Sequence, residues 1–205
     1  MNLPARQRAQ AIAGRRGGGH TLAVPLAPRL AAKIAERPWD AFLTDPTQLA
    51  NGLGDLIDAV RPDGVPVTLP TVLAEDDAGI RRETALEATR RLRTTVRDES
   101  VLIAVLDGTT STVLDDVTAF LDAGVDGVVL EGDTPADVAR TIGNVTRFHR
   151  AMAHAMGAGA SGLPGAELVP LDVPAPKTGL VLTDGEVPAD SSIPTVQDWV
   201  AAVRG

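Results

Sequence analysis

The sequence predicts an α/β fold: a parallel β/α barrel, abridged from the TIM type, with about six recognisable strands. Three observations carry this. The run "VLIAVLDG" (101–108) is unbroken and β-branched, as strands are when helices cover both faces of a parallel sheet. Apolar runs of this kind alternate with helical patterns along the chain, which is the order of repeated β/α units. The length of 205 residues suits one such domain spanning 1–205, near the lower limit of a barrel that ordinarily takes ~250 residues. By alternation alone the sheet is either closed or open and doubly wound.

Each element has its local reason. Residues 3–14 place alanines and apolar side chains at helical spacing, and "GRRGGGH" then stops them, so 1–19 is an N-terminal helix and glycine loop. "HTLAVPLAP" (20–28) is a first strand, followed by one short and one longer helical pattern. In the longer one Asp45 is placed to cap, Pro46 takes the first helical position, and Leu49, Leu53, Leu56, Ile57 and Val60 share a face. "GVPVTLP" (64–70) is the second strand, and a charged helix containing Ile80, Leu86 and Leu92 leads to the third at 101–108. After the helix in "TTSTVLDDVTAFLDAG" and the strand "VDGVVLEG", Thr134, Pro135 and Asp137 open a helix predicted to run as far as Gly157. "AGASGLP" (158–164) is small-residue loop chemistry, "ELVPLDVPAP" a short strand, "GLVLTD" the closing strand, and Thr195–Val203 the last helix.

Composition removes several function classes. With 19 basic and 27 acidic residues the net charge is -8, which repels phosphate backbones and argues against a nucleic-acid partner. Cysteine is absent, so disulfides, thiolate nucleophiles, iron–sulfur clusters and cysteine-containing zinc sites are excluded. No apolar run approaches the ~20 residues of a membrane span and nothing resembles a secretory signal, so a cytoplasmic location without membrane partners is expected. Aromatic residues make up 2% of the chain, which argues against large planar ligands, and no cofactor is called for.

In parallel β/α architectures the working groups stand where strands end. That selects Asp107, Glu131, Asp172, Asp184 and Glu186 as candidate catalytic residues. A ring of such carboxylates could hold a divalent cation or supply a raised-pKa acid beside an ionised base. Alternatively each caps its helix or bonds its own turn. Glu131 fits that alternative least, because glutamate caps poorly. His20 precedes its strand, on the face away from the expected site. His149 and His154, five apart on one predicted helix, do not align as metal ligands and are expected at the surface or at a helix end. Asp115, Asp116, Asp122 and the cluster 75–77 are expected on solvated faces. The glycines of "GRRGGGH" follow a helix and precede a strand, the reverse of a phosphate loop, and Ser161 lacks a strand-to-helix elbow.

Pieces from both ends of the chain resemble the uroporphyrinogen decarboxylase superfamily, which includes the cobalamin-linked methyltransferases. "RAQAIAGRRGGG" is similar to its opening helix, followed as in the family by a strand ending in Pro, a helix begun by "DP" and a strand containing "DGV". "LIAVLDGTTST" and "LDAGVDGVVLEG" resemble two middle strands, and "GLVLTDGEVPADSSIPTVQDWVAAVR" resembles the closing unit. The resemblance implies a barrel and a lyase or group-transfer enzyme acting on a small carboxylated substrate. Arg29 would bind that substrate as the one obvious cation in the region of the family's arginine clamp. Departures bear on activity: "VPLAPRLAAK" replaces an arginine-rich segment, and "DGE" (184–186) stands where relatives carry "GHG" or a zinc-binding "GC". The alternative is a non-catalytic scaffold or binding subunit of the same fold. Under either, the strand edges of an abridged barrel favour a homo-oligomer or hetero-complex.

Overall fold

A computed structural model describes residues 3–14, 19–74, 79–157 and 162–205. The chain runs α1 (Ala5–Ala13), β1 (Thr21–Val24), α2 (Pro28–Ile34), α3 (Trp39–Thr44), α4 (Pro46–Val60), β2 (Gly64–Thr68), α5 (Pro70–Ala74) and α6 (Ile80–Thr95). It continues through β3 (Val101–Asp107), α7 (Val113–Ala123), β4 (Gly127–Glu131), α8 (Ala136–His149), β5 (Met152–Met156), β6 (Gly165–Val169), β7 (Gly179–Thr183) and α9 (Ile193–Arg204). Among the described residues seven strands lie in the order β1-β7-β6-β5-β4-β3-β2, and every ladder is parallel.

The remaining seam, between β1 and β2, is drawn together by one aspartate, leaving a nearly closed barrel with helices outside. The Asp63 N–H donates to the Ala23 carbonyl at 2.9 Å, and the Asp63 carboxylate accepts the Ala23 N–H at 2.8 Å. Gly64 follows because the start of β2 presses on β3: a Cβ there would stand 2.6 Å from the Val101 carbonyl oxygen.

Three expectations are corrected. The described residues form seven strands where about six were recognisable in the sequence. The helix opened at Thr134 ends at His149 with Arg150 in the left-handed region, and the "MAHAM" segment beyond it is β5. Alanine and methionine favour helix, but pairing with β4 prevails (Gly127↔Met152, Val129↔His154), eased by Gly127, whose absent Cβ would lie 3.1 Å from the Met152 Cβ. The short helical pattern after β1 divides at Pro38 into α2 and α3. As predicted, Asp45 caps α4, its Oδ1 accepting the N–H groups of Thr47 and Gln48 at 2.8 and 3.2 Å.

The core is a continuous apolar cluster in which Trp199, Phe42 and Phe120 are the largest fully buried side chains. Each of α4, α7 and α9 buries its apolar stripe and leaves Asp55, Asp58, Asp115, Asp122 and Asp198 exposed, whereas Asp116 of α7 is partly buried. Among the described residues no helix follows β5 or β6. The outer face of β6 is accordingly open to solvent, with Glu167 exposed and 3.4 Å from the Lys177 ammonium.

At the opposite end from the strand tips, α1 packs against β1, β3 and β5. Its arginines reach two buried aspartates: Arg6 Nε donates to Asp126 at 2.8 Å, and Arg8 pairs with Asp63. Arg204 adds a second guanidinium to Asp63 at 2.7 Å, and Arg93 a second to Asp126 at 2.7 Å. The glycine-loop positions 15–18, residues 75–78 with the acidic cluster at 75–77, and residues 158–161, including Ser161, lie outside the described residues.

Candidate active site

Because all seven strands run the same way, their C-terminal tips form one rim, and every candidate acid lies at or just beyond it. They fall into separate groups around it. Asp107 and Glu131 are register partners at the tips of β3 and β4. The Gly108 N–H donates to the Glu131 carbonyl at 2.8 Å, and a Cβ on Gly108 would collide with the Thr134 hydroxyl, so glycine is required where these strands leave the sheet. The Asp107 Oδ1 accepts the Thr109 hydroxyl at 2.6 Å and its N–H at 2.8 Å, which together hold its carboxyl below the usual carboxylate range. Asp107 thus bonds its own turn, the alternative anticipated from sequence; the Glu131 side chain is exposed.

Asp107 also borders a cleft of about 380 Å³ between α5, α6 and α7, walled by Leu73, Leu106 and the ion pair of Arg82 with Asp116. That pair is 2.6 Å long, so Asp116 is engaged rather than merely solvated as expected. Asp172 is exposed in the connection after β6, and Asp184 is exposed at the tip of β7, its N–H donating to the Val169 carbonyl at 3.1 Å. Among the described residues no three His, Cys, Asp or Glu side chains stand close enough to hold a metal ion.

The second group joins β7 to β1. The Leu26 N–H donates to the Thr183 hydroxyl at 3.0 Å, that hydroxyl donates to the Gly185 carbonyl at 2.8 Å, and the Val187 N–H donates to the Leu26 carbonyl at 2.7 Å. This backbone stitching brings Glu186 to Arg29, whose Nε donates to Glu186 Oε2 at 3.3 Å. Burial pushes the Glu186 carboxyl above its ordinary value, and Arg29 pulls it down only in part. Glu186 Oε1 is buried without a hydrogen-bond partner. The Arg29 guanidinium lies 4.5 Å over the centre of the Trp39 ring, and Trp39 stacks on Phe42 at 6.2 Å with 20° between planes. The sequence named Arg29 and Glu186 separately; nothing in it marked them as partners or pointed to Trp39.

His154 departs from expectation. It lies on β5 rather than a helix surface, is 5% exposed, and its Nδ1 has no partner. Burial alone lowers its pKa to about 4, so it is neutral near pH 7. Its parallel register partner is Val129, itself in register with Val105, so the three side chains point to the same face of the sheet. His149 closes α8, 4.0 Å from Asp122.

Fold and rim together define a parallel β/α barrel of TIM type with a partly buried acid held by an arginine at its C-terminal mouth. No family model matches the sequence, and no curated protein matches it. Among solved structures the chain is similar to a methyltransferase from Methanosarcina mazei, with a TM-score of 0.65 and 10% identity over 98% of each chain. At that identity the likeness extends to the barrel and assigns no residue a role. No helix is long and apolar enough to cross a membrane, among the described residues.

Proposed function

We propose that this barrel is a group-transfer or lyase enzyme acting on a small carboxylated substrate, with Arg29 as the substrate anchor and Glu186 as the proton donor. The carrying observation is the Glu186 carboxyl: half-buried at a strand-tip rim, raised in pKa, paired through one oxygen and unpartnered at the other. A carboxyl whose charge burial disfavours keeps its proton to higher pH than an exposed one, which suits it to deliver that proton. In a decarboxylation the C–C bond to the carboxylate breaks, carbon dioxide leaves, and the electron pair left on carbon takes the Glu186 proton. Asp107, Glu131, Asp172 and Asp184 complete the acidic rim, with Glu131 free to contact substrate across the mouth.

The barrel shared with a methyltransferase supports group transfer as a class, and the closing "GLVLTDGEVP" segment supports kinship with the uroporphyrinogen decarboxylase superfamily. The second reading, a non-catalytic scaffold, is favoured by one observation: the acids do not gather into one cluster, and Asp107 is spent on its own turn. A thermal-shift series with small carboxylates separates the two. The enzyme reading expects a concentration-dependent rise in Tm that Arg29→Gln abolishes. No rise with any carboxylate favours the scaffold.

A further inference from the structure

Resting on the reading of Arg29 as anchor, we propose that Trp39 is its positioning residue and that the Arg29–Trp39 pair selects small monocarboxylates, bound through the in-plane N–H edge of the guanidinium. The geometry is a tower rooted in the core. Phe42 is fully buried and fills the space over Gly52, where a Cβ would stand 2.5 Å from the Phe42 ring. Trp39 stacks on Phe42 at the start of α3, directly after Pro38, whose ring fixes φ at -58°. Arg29 then lies over Trp39, so the aromatic ring occupies one face of the guanidinium and leaves its edge for acceptors.

That edge is lightly used. Among the described residues Glu186 Oε2 is the only polar group within bonding distance of the Arg29 guanidinium, at 3.3 Å from Nε, and the terminal nitrogens remain for a two-point bond to a carboxylate. One cation matches one carboxylate, and the aromatic ring beside it offers apolar contact to a short carbon chain. A ligand with many carboxylates would meet the acids of the rim unpaired. Holding Arg29 over the Trp39 ring removes rotamer freedom that binding would otherwise cost.

The test uses the full chain, with propionate and its uncharged isostere propionamide as probes, followed by saturation-transfer NMR at neutral pH. Wild type should bind propionate with Kd of about 1–10 mM and should not bind propionamide. Arg29→Gln should lose the signal, Trp39→Leu should weaken it about tenfold, and Trp39→Phe, which keeps an aromatic platform, should restore it with unchanged Tm. A second readout needs no substituted platform: propionate should change wild-type tryptophan emission saturably with the same Kd. Trp39→Phe, which leaves only the fully buried Trp199, should not show that change. Failure of wild type to bind propionate, or equal binding of propionamide, overturns the proposal. Binding that survives Arg29→Gln overturns the anchor reading beneath it. Loss in Arg29→Gln with wild-type affinity in Trp39→Leu, or binding silent in Trp39 emission, leaves the anchor standing and removes Trp39 from its role.

Discussion

Asp63 and Asp126 occupy the same position in two different β/α units. Each precedes the glycine that starts a strand, and each accepts the backbone N–H of the preceding strand, Ala23 at 2.8 Å and Leu102 at 3.0 Å. Each also receives two guanidiniums: Arg8 and Arg204 at Asp63, Arg6 and Arg93 at Asp126. These carboxylates lie at the end of the barrel away from the rim, where polar groups serve stability rather than chemistry.

Removing either charge should therefore destabilise strongly. Asp63→Asn leaves Arg8 and Arg204 facing a neutral group at a site 2% exposed. The expected loss is about 3 kcal/mol or more for either Asp63→Asn or Asp126→Asn, read from urea unfolding. A change within about 0.5 kcal/mol, the level of a surface substitution, would deny these clusters their role.

Asp63 also sets an acid limit. Burial would raise its carboxyl, but bonds from Arg204, Arg8 and the Ala23 N–H outweigh burial and hold it below 3.8. A carboxylate whose folded pKa is depressed gives stability that is present above the unfolded value and lost as pH falls through the folded one. Wild-type Tm should hence fall below about pH 4 more steeply than that of Asp63→Asn, with the two curves converging in acid.

His154 acts in an earlier window. Its pKa falls from 6.5 to about 4 in the folded chain, so between those values the unfolded chain binds a proton that the folded chain refuses. Stability present above pH 6.5 should drain away down to about pH 4, by about 3 kcal/mol in all. His154→Gln should flatten that limb in a pH series of unfolding curves; an unchanged slope from pH 6.5 to 4 would place the imidazole in water.

Glu186 should behave as a functional rather than a structural acid. Its folded pKa is raised above 4.5, so it favours the fold below that pH and opposes it as pH rises through the folded value. Glu186→Gln at pH 7 should be as stable as wild type or up to about 1 kcal/mol more so. A clear loss of Tm would make the Arg29 ion pair a structural link.

The barrel was legible because its strands are apolar on both faces: "VLIAVLD" and "GVVLE" could be little else, and Asp45-Pro46 announced α4. β5 was hidden because "MAHAM" carries no β-branched residue, and its strand character comes from Gly127 and β4 beside it. With β5 went His154, whose burial is a tertiary fact. At the rim, parallel strands placed all five acids at one end, as their positions after apolar runs implied. Which acid meets which cation depends on the Leu26, Thr183, Gly185 and Val187 backbone stitching between elements more than 150 residues apart, as the Leu26–Thr183 bond spans 157 positions. No local pattern encodes that pairing.

The most direct measurement of the central claim is a pH titration of the Glu186 side-chain carboxyl carbon by ¹³C NMR, in wild type and in Arg29→Gln. A partly buried acid steadied by Arg29 predicts a wild-type midpoint above 4.5 that rises further when the guanidinium is removed. A wild-type midpoint at or below 4.5, or one indifferent to Arg29, would contradict it.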